Sequence, residues 1–414
     1  MHPLLLLFPA VFSSFATAQH SSTIPGISNL QWPGELYSPL IPQKVLATAS
    51  SQQSPAKYPQ YTDRVVGQWQ WFLPDTWTSG FFPATLYELN TRTQLCHGQG
   101  SGYDTDWVDL GRTWSAAEVP LELKNSVGHD VGFLSFPFVQ ELLVNPQNQT
   151  AITAVNAFAS DLAARFSPIV GCTRSWDSSD PTLFQVIIDN MMNLDVLFSS
   201  YALTGNSTLI DIAKSHADKT MMNHVRSDGS SFHVVEYNAT TGDVIARVTA
   251  QGYSDNSTWS RGQAWGIYSF ANMYSHTNDT KYLETSRKMA NYFLENLPSD
   301  GIVPWDFNAP LVPPRPADTS AAAIASTGLL LLARQEMSLS PPNLINAGRW
   351  IIGAWQLLTT TANFAWQPSW QSLLSNGTVD NHYPSANNDT GIVYGDYYYI
   401  KAGNDLVQMG LAQC

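Results

Sequence analysis

Apolar residues recur three and four apart over at least three turns in residues 206–225, 279–297, 318–337 and 395–413. That spacing is one face of a helix. Ser207, Asp279 and Asp318 stand where such helices need an N-cap, so each is expected to start one. The chain therefore reads as mainly α. Residues 19 to about 58, rich in Ser, Pro and Gln, lack the period and are expected to form an extended arm.

The pattern also repeats. "YALTGNSTLIDIAKSHA…RSDGSSFHVV" aligns with "YSHTNDTKYLETSRKMA…PSDGIVPWDF", pairing Tyr201 with Tyr274, Ala217 with Ala290 and Gly229 with Gly301. Each unit reads as helix, tight turn, helix and return loop, and the chain has room for about six. Segments such as "SAAAIASTGLLLLA" are apolar or small all round, whereas "TKYLETSRKMANYFLENL" is amphipathic. Inner and outer helices of a closed double ring need these two patterns. The expected fold is all-α, an (α/α)6 barrel with a central cavity.

"FQVIIDNMMNLDVLF", residues 184–198, places Asp189, Asn190 and Asn193 in an apolar run. With Asp180 and Pro181 opening a helix, Ile187, Met191, Leu194 and Phe198 form one packed face and Ile188 and Met192 another. The three polar residues then make a narrow seam toward the lumen, with Asp189 about two turns in. An unpaired buried carboxylate costs several kcal/mol, so a seam there calls for a chemical reason.

Composition narrows the function classes. Residues 1–18 read as an export signal, with "LLLLFPAVF" before the small residues "ATA". Asn-x-Ser/Thr sequons at Asn148, Asn206, Asn238, Asn256, Asn278, Asn376 and Asn388 agree with secretion. Residues 19–414 are expected to be one extracellular domain, monomeric and without a membrane span. Cys96, Cys172 and Cys414 allow at most one disulfide. A net charge of −13 disfavours nucleic acid and anionic membranes, and any anionic substrate must meet a local positive site. No Walker loop, HExxH, nucleophile elbow or Cys/His metal spacing occurs, so neither cofactor nor metal is expected.

Two further stretches carry candidate chemistry. "GHDVG" sets His129 and Asp130 between Gly128 and Gly132, which let the backbone approach a ligand closely. In "QGYSDNSTWSRGQAWGIYSF", Asp255, Asn256 or Ser257 can cap a helix whose Arg261 and Trp265 share a face, while Gly262 and Gly266 pack closely on another. A guanidinium and an indole beside a helix N-terminus suit an anionic sugar. Trp77, Trp176, His233 and Gln251 lie in loop contexts.

Together "IIDNMMNL", "GHDVGF", "SRGQAW", "DGIVPWDF", "DTSAAAIASTGLL" and "GDYYY" resemble the unsaturated glucuronyl hydrolases, glycoside hydrolase family 88, in family order over roughly residues 65 to 405. The resemblance implies removal of a 4,5-unsaturated uronic acid from the non-reducing end of lyase-generated oligosaccharides. It further implies that Asp189 is the catalytic acid/base and Asp130 its essential partner. Trp77, His129, Trp176, His233, Gln251, Arg261 and Trp265 would line the sugar site. Ala250 stands where the pattern has histidine, and Ala84 where it often has glycine. The alternatives are an unsaturated rhamnogalacturonyl hydrolase and a non-catalytic carbohydrate-binding barrel.

Overall fold

Helices form in each of the four stretches where the three-and-four spacing recurs, 206–225, 279–297, 318–337 and 395–413. The computed structural model describes residues 24–51, 56–96, 104–312 and 315–414. The expected export signal lies outside them. The first half of the chain holds α1 (Leu40–Ala49), α2 (Phe81–Leu95), α3 (Trp107–Ser115), α4 (Val131–Leu134), α5 (Phe136–Val144) and α6 (Gln149–Ala164). There follow α7 (Asn190–Asn193), α8 (Asp195–Thr204), α9 (Ser207–Asn223), α10 (Ser260–Thr277), α11 (Thr280–Glu295), α12 (Thr319–Ser338), α13 (Leu344–Ala365) and α14 (Val393–Gln408). Short strands punctuate them: β1 (Tyr58–Thr62), β2 (Trp69–Phe72), β3 (Phe166–Ser167), β4 (Cys172–Thr173), β5 (Leu183–Ile187), β6 (Val234–Asn238) and β7 (Val244–Val248). No described helix is long and apolar enough to cross a membrane.

The helix contacts run in a circuit. α2 packs on α14, α14 on α12, α12 on α10, α10 on α7 and α7 on α4, while α5, continuing α4, returns to α2. Outside this circuit α3, α6, α9, α11 and α13 each pack on an inner neighbour. Burial follows the same division: α12 is buried nearly throughout, whereas α11 buries chiefly the stripe Tyr282, Leu283, Met289 and Phe293.

The repeat is visible in the backbone. Gly205 and Asn278 both end helices in the left-handed region, at φ 73° and 54°. Asn206 and Asp279 then cap the following helices by accepting from Thr208 N and Lys281 N. The cap is therefore Asn206 where the pattern suggested Ser207. Asp318 caps α12 as expected, accepting from Ser320 N and Ala321 N.

Two expectations need correction. The stretch expected as an extended arm contains α1, which buries Ile41 and Val45 in the core. Its proline, Pro42, sits in the first turn, where no intrahelical N–H is required. Residues 184–187 are not helical either. They belong to β5, whose Phe184 and Val186 alternate into a small core and whose partner is β6 in an antiparallel sheet ordered β5-β6-β7. Pairing with β6 satisfies this segment's backbone groups, so the helix begins only after Asp189. Cys96 and Cys414 form the disulfide and Cys172 is a buried thiol.

Candidate active site

Asp189 sits at the junction where the sheet hands over to a one-turn helix. Ile188 N donates to His233 O, closing the β5–β6 ladder, and Asp189 then occupies the N-cap of α7. It is 8% exposed, and Asn190 and Asn193 are fully buried. Asp189 and Asn193 lie near Asp130, whereas Asn190 donates to Thr173 O and Oγ1 in β4, so the expected seam forms only in part, and a strand-to-helix turn positions it in place of a continuous helix. Burial pushes the Asp189 carboxyl up to about 7 and the nearby Asp130 adds to the rise; Arg261 and the local backbone oppose it. Desolvation of a carboxylate outweighs the partial charge of one helical turn.

α10 approaches Asp189 through glycine. A Cβ on Gly262 would lie 3.1 Å from Ile188 Cγ2, and one on Gly266 only 2.2 Å from Met289 Cε. That close packing brings Trp265 beneath Asp189. The indole lowers the Asp189 pKa, yet its N–H makes no hydrogen bond among the described residues. Trp265 is fully buried against Phe133 and Tyr398, so it offers its N–H edge and no stacking face.

His233 faces Asp189 across 3.6 Å, Nε2 to Oδ2. The backbone amides of Ala250 and Gln251 donate to its Nδ1 at 3.1 and 3.3 Å. Nδ1 is therefore an acceptor, and the proton of the neutral ring resides on Nε2, aimed at the carboxyl. Burial holds the imidazole pKa down to about 3, which keeps it neutral.

His129 has the opposite tautomer. Its Nδ1 lies 2.7 Å from Ser175 O, a pure acceptor, so Nδ1 carries the proton and Nε2 is bare. That bare nitrogen is 3.2 Å from Asp130 Oδ1. Burial lifts Asp130 to about 7, against the pull of Asn193 and Arg165, and depresses His129 to about 3. Below about pH 7 a proton therefore sits on Asp130, facing the bare Nε2 of His129. Gly132 serves this arrangement in a way the sequence did not show. A Cβ there would lie 2.4 Å from Asn193 Cα, so glycine lets α4 approach α7, and Asn193 Oδ1 accepts from Phe133 N. The close approach is to backbone, where a ligand was expected.

Arg261 is buried and already engaged. Its Nη1 donates to Asp318 Oδ2 at 2.7 Å and to Thr378 O, and its Nη2 donates to Gln251 Oε1 at 2.8 Å and Val379 O at 3.0 Å. The guanidinium lies over Trp259 and Tyr394, 4.6 and 5.4 Å from the ring centroids. Its terminal nitrogens are thus not open to an anion as the helix pattern suggested; its charge acts on Asp189 through the field. The expected caps are likewise used elsewhere. α10 starts after Trp259, while Asp255 accepts from Thr249 N and Ser257 donates to Asp306. Asn256, expected within the site, is exposed.

Trp176 stands edge-on to His233, with centroids 6.2 Å apart. Trp77 packs 5.4 Å from Phe133 and 4.9 Å from Tyr394, the ring over which Arg261 also lies. All nine candidates therefore fall in one connected neighbourhood. Asp318, Tyr394 and Trp259 belong to it too and were missed. Asp318 was legible only as a helix cap, and its second carboxylate oxygen holds Arg261. Asp189 Oδ2, His233 Nε2, His129 Nε2, Asn193 Nδ2, Trp259 Nε1 and Trp265 Nε1 are buried without a hydrogen-bond partner among the described residues. Folded proteins rarely leave such groups unsatisfied, and six in one place mark a surface built for a polar ligand.

No family model matches the chain. An unsaturated glucuronyl hydrolase of Formosa agariphila is 34% identical over 337 residues, covering 79% of this chain and 78% of that protein. The chain belongs to the unsaturated glucuronyl hydrolase family. An unsaturated chondroitin disaccharide hydrolase of Streptococcus pneumoniae is 32% identical over 328 residues, 79% of this chain and 80% of that one. The crystal structure of an unsaturated glucuronyl hydrolase specific for heparin superposes with a TM-score of 0.81 at 29% identity, covering 92% of this chain and 97% of that one. This chain is accordingly a glycoside hydrolase of the unsaturated glucuronyl hydrolase type.

Proposed function

We propose that this hydrolase removes a 4,5-unsaturated glucuronyl residue from the non-reducing end of lyase-generated oligosaccharides, within an (α/α)6 barrel. The closed circuit of inner helices, backed by α3, α6, α9, α11 and α13, supports the six-hairpin reading. The substrate's vinyl ether takes the proton of Asp189 at C4, leaving an oxocarbenium-like centre at C5. Water adds at C5 and returns a proton to the Asp189 carboxylate. The resulting hemiketal opens to a ketone at C5, and the hemiacetal freed at C1 expels the neighbouring sugar. No enzyme nucleophile is consumed, unlike in glycosidases that protonate the glycosidic oxygen and form a covalent intermediate.

The observation that carries this reading is the buried Asp189, protonated near neutrality among unpartnered polar groups. A general acid works best with its pKa close to the working pH. The neutral His233 donor then stabilises the carboxylate left behind. In this reading Asp130 bonds sugar hydroxyls and Trp176 and Trp77 flank the ring. Incubation with unsaturated disaccharides from chondroitin, hyaluronan and heparin should bleach the ultraviolet band of the conjugated enol. Cleavage of saturated glycosides with that band intact overturns the reading. An unsaturated rhamnogalacturonyl disaccharide in the same panel separates the neighbouring activity.

Secretion belongs to the same proposal. The apolar start of the chain supports it, and so does the Cys96–Cys414 disulfide, a bond that persists in oxidising compartments.

A further inference from the structure

A cavity of about 340 Å³ opens between the end of α6, the β3–β4 hairpin and β5, with Arg165, Ser167, Arg174, Asp177 and Phe184 in its lining. Arg165 is held in place: it donates to Arg174 O at 2.8 Å and Ser175 O at 3.1 Å and pairs with Asp177 at 3.0 Å. Arg174 is different. Its guanidinium lies over Phe184, 4.7 Å from the ring centroid, and makes no hydrogen bond or ion pair among the described residues. Asp177 is 77% exposed, so one well-hydrated carboxylate faces two guanidinium groups. On a chain of net charge −13 this is a local positive site.

The cavity backs onto the catalytic neighbourhood. Ser175 O, which accepts from Arg165, also accepts from His129, and the next residue, Trp176, edges His233. The Arg165 charge reaches Asp130 and helps to hold its carboxyl down. We propose that this pocket binds a carboxylate or sulfate carried by an acidic saccharide beyond the leaving sugar, with Arg174 as the anion's main donor and Phe184 as its platform. A planar guanidinium stacked on an aromatic ring is preorganised for such a group. The inference rests on the uronyl hydrolase reading for the identity of the saccharide and on Arg174 for the site.

Calorimetric titration of the full chain and its Arg174→Gln variant with inorganic sulfate, and with a saturated uronate tetrasaccharide, reads the site without turnover. Loss of a charge-assisted bond should weaken both ligands about tenfold or more. In the ultraviolet assay the variant should raise KM for an unsaturated tetrasaccharide while leaving kcat/KM for the disaccharide within about twofold of the parent. The disaccharide rate also reports that the variant is folded. Equal tetrasaccharide binding by the two proteins overturns the proposal. So does weakened sulfate binding with unchanged saccharide binding, which marks a free-ion site. Absence of ultraviolet bleaching by either protein, with Arg174-dependent tetrasaccharide binding retained, counts against the reaction and for the pocket.

Discussion

His233 Nε2 points at Asp189 Oδ2 from 3.6 Å, and separate parts of the chain hold the two groups there. The amides of Ala250 and Gln251 fix the imidazole, and the turn after β5 fixes the carboxyl. At 3.6 Å the Nε2–H is within reach of the carboxylate that forms when Asp189 gives up its proton. His233→Ala removes the donor, so kcat should fall about 10- to 100-fold with Asp189 titrating higher. The pH–rate profile checks this; a high-pH limb that moves down contradicts it.

Asp189→Asn should lower kcat by about a thousandfold or more while sparing binding of a saturated disaccharide. Its stability carries a second signature. The Asp189 pKa of about 7 lies above the 3.8 of an ordinary aspartate, so folding favours the protonated form. The contribution is complete below pH 4 and is lost as pH rises through about 7. Each pH unit separating the folded and unfolded pKa values is worth about 1.36 kcal/mol. Melting temperatures measured from pH 4 to 8 should therefore move in favour of the asparagine variant as pH rises. A constant difference would place Asp189 in solvent.

In the His129–Asp130 pair, two bare acceptors 3.2 Å apart would repel, so one proton lies between them. Selective ¹⁵N labelling should show His129 neutral with Nδ1 protonated at pH 6. Asp130→Asn keeps that tautomer, because the new amide can donate to Nε2. Above about pH 7, where Asp130 ionises, the variant also lacks the charge that raises the Asp189 pKa, so the upper part of the ¹³C titration of the Asp189 carboxyl should move to lower pH.

Arg261→Met leaves Asp318 buried without its partner and should destabilise the protein by about 3–5 kcal/mol in urea unfolding. It also removes the charge that lowers the Asp189 pKa, so the activity limb should move to higher pH. Asp318→Asn retains an oxygen to cap α12 and leaves the guanidinium less neutralised. Its limb should move the other way, and parallel shifts in the two variants would separate Arg261 from Asp189.

Gly132→Ala forces a methyl group against Asn193 Cα and should cost about 1–3 kcal/mol of stability through overpacking. The same displacement carries Asn193 away from Asp130, so activity should fall by more than the unfolded fraction. Circular-dichroism melting paired with the ultraviolet assay tests both effects.

The sequence by itself determined what depends on neighbours within a few turns. The helical period placed α9, α11, α12 and α14; Asp279 and Asp318 announced their helices, and the repeat fixed paired turns at Gly205 and Asn278. The polar residues in an apolar run marked Asp189 and Asn193 as buried for a reason. Only the tertiary structure decided what those groups do. β5 became a strand because a segment some fifty residues away supplies its hydrogen bonds. Arg261 was withdrawn from direct anion contact by Asp318, 57 residues on, and by carbonyls of Thr378 and Val379. The opposite tautomers of His129 and His233 follow from a carbonyl in one case and two amides in the other. Helical periodicity is a local property of side chains, whereas protonation state and hydrogen-bond complementarity in a desolvated cavity belong to whatever distant groups the fold brings there.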